Sequence, residues 1–269
     1  LLISDGGDGD VSPEFVHPSQ DFLLDLGLYV IPVLAKNVDD GSSEAFKTQY
    51  ILVSSKREVI DLSDVRALFK AHKVHLLTRP SGLLVGRWNT AGIKAYCASS
   101  ADVDPHTVFQ AIRSILEKYI DFPEKEWYLI LPLWIMGTYI FRVFEAFPYL
   151  LVTGFKGSGK SKLGDIVSRL AFNGLGTVGI SEAALFRIVE ATGSTLIIDE
   201  GEQLVDKHKL ETMRQLLNGG YKRGIKVYRQ EKQKGGNFET KSFDPYGPKV
   251  IVNIAGLESV LGSRAITVT

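Results

Sequence analysis

One eight-residue segment, residues 154–161, constrains this chain more than any other part of its sequence. It reads Gly-Phe-Lys-Gly-Ser-Gly-Lys-Ser, that is, a glycine, four further residues and then Gly-Lys-Ser. An apolar run at 149–153 precedes it, and an amphipathic stretch with apolar residues from Leu163 to Ala171 follows it. The backbone amides of such a glycine-rich turn, with the dipole of the helix behind it, bind phosphate oxygens. The segment therefore predicts a strand, a phosphate-binding loop and a helix.

We expect the whole loop to contact the phosphates of a nucleotide, ATP. Lys160 would reach the β- and γ-phosphates, and Ser161 would ligate Mg²⁺. The alternative, a glycine-rich turn with an incidental Lys-Ser pair, does not account for the flanking strand and helix. The nucleotide-binding candidates are Gly154, Phe155, Lys156, Gly157, Ser158, Gly159, Lys160 and Ser161.

A second acidic site follows a later apolar run. Residues 195–198 read Thr-Leu-Ile-Ile, and they are followed directly by Asp199 and Glu200. Ligands bind at the carboxyl ends of strands in open α/β sheets, so Asp199 is suited to hold Mg²⁺ through its water shell. Glu200 is suited to orient the attacking water, which favours hydrolysis over transfer to an acceptor. The alternative is that two acids merely follow a strand.

The sequence from residue 148 onward has the pattern of a parallel sheet covered by helices on both faces. Short continuous apolar runs alternate with amphipathic helices, among them one capped by Ser181 and one near 206–217. This rhythm predicts an α/β fold with a doubly wound, mostly parallel sheet of five strands. The five runs are 149–153, 177–180, 195–198, 250–254 and 265–268.

The remainder of the chain is interpreted as a helical lead-in and a small separate domain. Asp104 and Pro105 predict a helix start, and a second helical region is expected at 124–146, so residues 103–147 lead into the core at 148–269. Residues 1–102 predict a mixed α+β or mostly β domain of unassigned function. Its expected elements are strands at 28–34, 49–54, 74–77 and 83–88 and a helix at 63–72.

Composition limits the protein class. The chain has 31 basic and 31 acidic residues, so its net charge is zero, and a strongly basic nucleic-acid coat protein is excluded. A single cysteine, Cys97, predicts a reducing, cytoplasmic environment. Five histidines show no metal-ligand spacing, and the uncharged stretch 127–141 is shorter than the ~18–20 residues that span a bilayer. Because the sequence runs from Leu1 to Thr269, we expect it to be part of a longer protein.

A basic hairpin is expected between the acidic site and the fourth strand of the core. Strand-like runs at 225–231 and 237–243 flank a tip that contains Lys232 and Lys234. Residues 221–250 hold eight Lys or Arg against three acids. Such an excess of positive charge binds a phosphate backbone, although lysines also serve simply to keep a sheet edge soluble.

These motifs together resemble the AAA+ and superfamily-3 helicase class. The likeness extends over about residues 104–269 and is more specific to helicases and primase-helicases, or MCM-like proteins, of phages, plasmids and mobile elements. It depends on the phosphate-binding loop, on Asp199-Glu200 and on four further stretches. These are Phe147-Pro148-Tyr149, Leu217-Asn218-Gly219-Gly220-Tyr221, Tyr246-Gly247-Pro248-Lys249 with Val250-Ile251-Val252-Asn253, and Ser263-Arg264-Ala265-Ile266.

The resemblance implies roles for four more residues and a ring assembly, expected to be a hexamer. Asn253 is similar to a sensor that contacts the γ-phosphate or the water, and Arg264 to an arginine finger that completes a neighbour's site. Lys232 and Lys234 would contact DNA, single-stranded in the ring pore. A polar strand end and a surface arginine are the alternatives for Asn253 and Arg264. AAA+ proteins carry a helical lid after the core, and this sequence ends before such a lid, as a part of a longer protein also would. Superfamily-3 proteins place much of their helical packing before the core, as residues 104–146 would do here.

We therefore expect Mg²⁺-dependent ATP hydrolysis coupled to DNA unwinding or translocation in the replication of a mobile element or phage. The alternative function is an ATP-gated initiator or loader that assembles on DNA without processive unwinding. A nucleotide or small-molecule kinase is disfavoured by Glu200 and Asn253, since a kinase must exclude the hydrolytic water.

Overall fold

The computed structural model describes residues 14–36, 46–177, 182–199, 207–232, 236, 238–252 and 262–269. The chain divides into two compact units, Leu1–Ser99 and Ser100–Thr269. The division lies three residues before the end of the 1–102 domain that the sequence predicts.

The first unit is a mixed α+β domain built on an antiparallel sheet of four strands. Its core joins side chains of that sheet to Val16, Val74 and the helical Leu68. Two further strands form a separate parallel pair, β1 with β6. The elements are β1 (Glu14–Val16), β2 (Gln20–Leu23), β3 (Leu26–Lys36), β4 (Phe46–Ser54), β5 (Val59–Asp61), α1 (Val65–His72), β6 (Val74–Leu76) and α2 (Thr90–Ala98).

The strand predicted at 83–88 is wrong. A 3₁₀ turn, Gly82–Leu84, occupies its start, and the hydroxyl of Ser81 accepts a hydrogen bond from the Leu83 amide at 3.3 Å. Gly86 follows with φ of +80°, which is incompatible with an extended strand. Helix α1 begins two residues later than predicted, because the Asp64 carboxylate caps it by accepting from the Arg66 amide.

The second unit contains a parallel sheet of five strands in the order β13-β7-β12-β9-β8. This confirms the predicted α/β class with its five-stranded parallel sheet. An antiparallel pair, β10 and β11, is separate from the sheet. The strands are β7 (Tyr149–Val152), β8 (Leu175–Thr177), β9 (Leu196–Asp199), β10 (Val227–Lys232), β11 (Phe238–Phe243), β12 (Lys249–Val252) and β13 (Ala265–Val268).

Five helices belong to the described part of this unit, and their starts follow the local chemistry. Asp104 caps the first by accepting from the amides of His106 and Thr107. The second is shorter than the predicted region 124–146, since it ends at Gly137, whose missing Cβ would lie 3.2 Å from the ring of Phe147. The helices are α3 (Pro105–Tyr119), α4 (Trp127–Gly137), α5 (Lys160–Leu170), α6 (Glu182–Thr192) and α7 (Lys207–Gly219).

None of the helices in the described ranges is both long and apolar enough to cross a bilayer.

Helices cover both faces of the parallel sheet. Alternate strand residues such as Leu151, Ile198 and Ile251 form one core with apolar side chains of α6 and α7. On the opposite face, α5 approaches closely at Gly164, where an added Cβ would lie 3.4 Å from methyl groups of Ile197 and Val252. A sheet that buries both faces explains why its strands are apolar without alternation.

The strand order places a crevice beside β7. From β7 the chain passes beyond β12 and β9 to the edge strand β8, and it then returns through β9 to β12 before β13 pairs with the other side of β7. Right-handed crossovers require α5 on one face and the returning helices on the other, as observed. The strand that follows β7 in the chain and the strand that follows β12 therefore lie on opposite sides, so the strand order reverses between β7 and β12, which is where ligands bind in such sheets.

Candidate nucleotide-binding site

The predicted phosphate-binding loop is a tight turn between β7 and α5. Strand β7 ends at Val152, and α5 begins at Lys160 directly after the loop. Gly154, Gly157 and Gly159 have φ of +140°, +84° and +89°, a backbone region that favours glycine. A Cβ added at Gly154 would lie 2.9 Å from the Ser158 hydroxyl oxygen. The spacing of the glycines in the motif is thus required by the turn itself.

The loop presents groups that bind anions. Within the described residues, no side-chain hydrogen bond caps α5 at Gly159, so its first-turn amides keep their capacity to bind another acceptor. The Lys160 ammonium lies over the loop and donates hydrogen bonds to the carbonyl oxygens of Gly154, at 2.7 Å, and Phe155, at 2.6 Å. Ser161 is exposed in the first turn of α5. Residues that carry free amides, an ammonium group and a hydroxyl therefore lie together at one helix start.

A cavity of about 430 Å³ adjoins this loop. Ile120, Phe122 and Pro123, from the segment after α3, line it together with Val268 and Thr269 at the end of the chain. The volume is in the range of small-molecule pockets. Sequence reasoning assigned no function to these residues, because Pro123 predicts only where a helix ends.

Asp199 lies at the same edge of the sheet as the loop. It is the last residue of β9, and Val252 of β12 pairs with Asp199 on one side and with Val152 on the other. Two strand spacings separate Asp199 from the end of β7, about 10 Å. Glu200 and Asn253, which follow Asp199 and Val252 directly, lie outside the described residues. The strand register alone therefore brings Asp199 level with the start of the loop.

Arg264 lies at the opposite edge of the sheet. It directly precedes β13, whose first residue pairs with Tyr149, the first residue of β7. A strand of four residues is about 13 Å long, so Arg264 is remote from the loop of its own chain. Its guanidinium donates a hydrogen bond to the Asn218 side-chain oxygen and lies 4.7 Å from the centre of the Tyr221 ring.

A buried lysine near that same edge was not predicted as functional. The Lys249 side chain is fully buried at the start of β12. Its ammonium nitrogen donates to the carbonyl oxygens of Pro245 at 2.7 Å, Gly247 at 3.0 Å and Gly220 at 3.4 Å. Burial lowers the pKa of Lys249 to about 7, and the charge of Asp244 acts in the opposite direction. In the sequence, the burial of Lys249 is indicated only by its position directly before an apolar run.

The predicted hairpin is present as β10 and β11, which pair antiparallel from Val227–Phe243 to Lys232–Phe238. The side chain of Lys232 and the whole of Lys234 lie outside the described residues. Not every basic residue of 221–250 serves the surface: Lys249 is buried, and Arg229 donates to the Gln215 amide oxygen at 2.7 Å. The positive charge available to a ligand is therefore smaller than the sequence count of this segment.

Comparison with protein-family models and with curated proteins found no match for this chain. In the described ranges, no group of three or more His, Cys, Asp or Glu residues is placed to hold a metal ion by itself. The hydroxyl of Ser161 and the carboxylate of Asp199 are oxygen groups of the kind that Mg²⁺ binds together with water and phosphate oxygens. The site therefore fits a cation that arrives with a phosphate ligand.

Proposed function

We propose that residues 103–269 form a Mg²⁺-dependent ATPase of the P-loop class, with an AAA+-like or superfamily-3 helicase core. The observation that carries this proposal is the meeting of the loop, the start of α5 and Asp199 at one edge of the parallel sheet. A five-stranded parallel sheet with its crevice beside β7 supports it further.

The positions of the described site residues support their tasks, and Glu200 and Asn253 keep the tasks that the sequence motifs suggest. The loop amides and Lys160 bind and orient the β- and γ-phosphates of ATP, and Lys160 exchanges its two carbonyl contacts for phosphate oxygens. Ser161 and Asp199 hold Mg²⁺, which supplies charge neutralisation at the phosphates when it is bound. Glu200 orients and polarises the attacking water, and Asn253 contacts the γ-phosphate or that water.

The cavity at Ile120, Phe122 and Pro123 supports a nucleoside as the remainder of the ligand. It opens directly onto the loop residues Gly154 and Lys160, so a base and ribose placed there would have their phosphates in the loop. Its predominantly apolar lining suits the faces of a purine ring. The loop and the cavity together thus match the two chemically different halves of ATP.

We further propose that ATP hydrolysis drives unwinding of DNA by a ring of subunits. The hairpin of β10 and β11 supplies the nucleic-acid contact, with Lys232 and Lys234 as candidates at its tip. Arg264 supplies the contact between subunits, because its edge of the sheet faces away from the loop of its own chain. In this arrangement, residues 1–99 keep an unassigned role.

The ATPase proposal is tested by equilibrium binding of ATP with Mg²⁺ to the full chain and to Lys160→Ala. The affinity of the variant for ATP should be at least tenfold lower, because the ammonium group makes charge-assisted hydrogen bonds to phosphate oxygens. Lys94→Ala, an exposed lysine of the first unit, is the control and should bind as the wild type does. Equal binding by Lys160→Ala would contradict the proposal.

The helicase proposal is tested by unwinding of a forked DNA, with mass measurement in the presence and absence of ATP. A ring helicase should assemble with ATP and separate the strands. Assembly on DNA and ATP hydrolysis without strand separation would instead identify an ATP-gated initiator or loader, and the helicase assignment would be wrong.

A further inference from the structure

The two faces of the β10–β11 hairpin differ. Directly opposed residues of an antiparallel pair share a face, and successive residues alternate between faces. The pairs Tyr228–Ser242, Gln230–Thr240 and Lys232–Phe238 therefore lie on one face, here called the outer face. The pairs Val227–Phe243, Arg229–Lys241 and Glu231–Glu239 lie on the other, here called the inner face.

The second of these faces packs on the body of the unit at the end of the hairpin remote from its tip. Phe243 is buried, and its ring lies 6.4 Å from the ring of Phe186 in α6. Arg229 reaches Gln215 of α7 with its guanidinium and lies 5.1 Å from the centre of the Phe186 ring. These contacts attach the hairpin to α6 and α7, with the outer face directed away from both helices.

The outer face exposes two large aromatic side chains. Tyr228 and Phe238 are each 67% exposed. All five residues at 238–242 are exposed, so this part of β11 is not covered on either face. Single exposed aromatic rings are common on protein surfaces, but two on one face of a hairpin form an apolar surface that can receive a ligand.

The spacing and chemistry of the outer face fit the bases of a single strand. Four residues along the strands separate Tyr228 from the pair that contains Phe238, which is about 13 Å. This exceeds the ~3.4 Å rise between stacked bases in a duplex, so the two rings would take separate bases of an extended strand. Gln230, Thr240 and Ser242 lie between or beside the rings and offer hydrogen-bonding groups to base edges.

Charge also favours a nucleic acid over other apolar ligands. The acidic positions of the ladder, 231 and 239, belong to the inner face together with the basic positions 229 and 241, whereas the one charged position of the outer face, 232, is a lysine. The register therefore places no acidic position on the outer face, where a phosphate backbone would be repelled. Acyl chains of a lipid would leave the hydroxyl and amide groups between the rings without partners.

We propose that the outer face of the hairpin is a stacking platform for single-stranded nucleic acid, on which Tyr228 and Phe238 each hold one base. The inference rests on the proposed nucleic-acid function of the hairpin and adds the groups that bind the bases. Aromatic stacking tolerates any base, because every base has a π-face. The platform therefore recognises unpaired bases without reading their sequence.

The test is fluorescence anisotropy of end-labelled oligothymidylate and of an abasic oligonucleotide of the same length and charge, with the full chain. The wild type should bind the oligothymidylate more tightly. Tyr228→Ala and Phe238→Ala should each weaken that binding about 5- to 100-fold and leave abasic binding unchanged. Tyr228→Phe keeps the ring and should bind as the wild type does. Leu129→Ala, which removes an apolar side chain 54% exposed on α4, is the matched control.

A spectroscopic variant tests stacking directly. Tryptophan in Phe238→Trp should lose fluorescence when oligothymidylate is added and keep it when the abasic strand is added. Equal affinity of the wild type for both oligonucleotides would overturn the proposal. The proposal would also be overturned if Tyr228→Ala and Phe238→Ala kept the DNA affinity of the wild type but lost binding to phosphatidylserine vesicles or lost self-association.

The outcomes separate this inference from the proposed function. DNA-stimulated ATP hydrolysis that persists in Tyr228→Ala and Phe238→Ala, with unchanged affinity for oligothymidylate, would remove the platform alone. A wild-type chain that neither hydrolyses ATP nor binds DNA would instead remove the proposed function.

Discussion

The Arg264 guanidinium stacks on the Tyr221 ring, 4.7 Å from its centre, at the edge of the sheet opposite to the phosphate-binding loop. An arginine in this position does not reach the site of its own chain. We therefore expect that Arg264→Ala and Glu200→Gln subunits, each inactive alone, regain ATPase activity when they are mixed. A steady-state ATPase assay at several mixing ratios measures the recovery.

The control for this experiment is Arg113→Ala, which removes an exposed arginine of α3 that pairs with Glu117. Arg113→Ala alone should hydrolyse ATP like the wild type. Absence of recovery at every ratio of the two inactive variants would show that Arg264 does not act between subunits.

Replacement of Asp199 by asparagine should separate binding from hydrolysis. The amide keeps the size of the side chain at the end of β9 but removes the charge that we propose attracts Mg²⁺. We expect ATP to bind with nearly unchanged affinity and the hydrolysis rate to fall about 100-fold or more, by the usual cost of a lost electrostatic contact in an active site. Asp165→Asn, at an exposed position of α5, should retain full hydrolysis. An Asp199→Asn variant with wild-type Mg²⁺ dependence would refute the role.

The hairpin tip is tested by the double variant Lys232→Ala, Lys234→Ala. DNA-stimulated hydrolysis and unwinding should fall while hydrolysis without DNA is kept. The dependence of DNA affinity on salt should also weaken, because each lost phosphate contact lowers the slope against log salt by about 0.7. The pair Lys70→Ala, Lys94→Ala removes the same charge from the first unit and should leave the slope unchanged. A decrease confined to DNA-independent hydrolysis would be incompatible with contact at the tip.

The buried Lys249 should make stability depend on pH. Its pKa is lowered to about 7 in the folded protein from an ordinary value of 10.5. Between these values the unfolded chain binds the proton more than the folded chain does, so the free energy of unfolding rises with pH. Urea unfolding from pH 7 to pH 9.5 should show this rise in the wild type and a smaller one in Lys249→Met. Parallel curves would exclude Lys249 as the cause.

Gly220 should tolerate no side chain. An added Cβ would lie 2.5 Å from the Pro245 carbonyl oxygen and 2.6 Å from the Lys249 ammonium nitrogen. We expect Gly220→Ala to lower the free energy of unfolding by about 2–3 kcal/mol, the usual cost of overpacking a rigid site. Gly176→Ala, where nothing lies within 4 Å of the added atom, is the comparison and should change stability far less. Similar midpoints in urea for both variants would contradict the close packing at Gly220.

The parallel sheet was predictable because burial on both faces removes polar residues from its strands. Four of the five runs correspond to strands of the described residues, whereas the run at 177–180 overlaps β8 only at Thr177, and residues 178–180 lie outside the described ranges. The interval 83–88 begins with three apolar residues, but a capping hydroxyl at Ser81 and the positive φ of Gly86 make it a turn. Local backbone chemistry thus outweighed the apolar pattern there.

The loop and Asp199 were predictable for a different reason. The geometry of the loop is determined within eight residues, because its own turn requires the glycines of the motif. The position of Asp199 follows once the end of its strand is predicted. The cavity at 120–123 and the hydrogen bonds of the buried Lys249 to backbone carbonyls depend on segments far apart in the chain. Short-range patterns contain no information on such contacts.

The placement of Arg264 and the phosphate-binding loop on opposite edges limits the symmetry of any assembly that joins them. A two-fold interface uses one and the same patch of both subunits, so it would need Arg264 and the loop within a single patch. An interface that joins the Arg264 edge of one subunit to the loop edge of the next instead leaves one Arg264 edge and one loop edge unused in every pair of subunits. Repeated, it generates a closed cycle when the rotation between neighbours divides a full turn, and a helical filament when it does not.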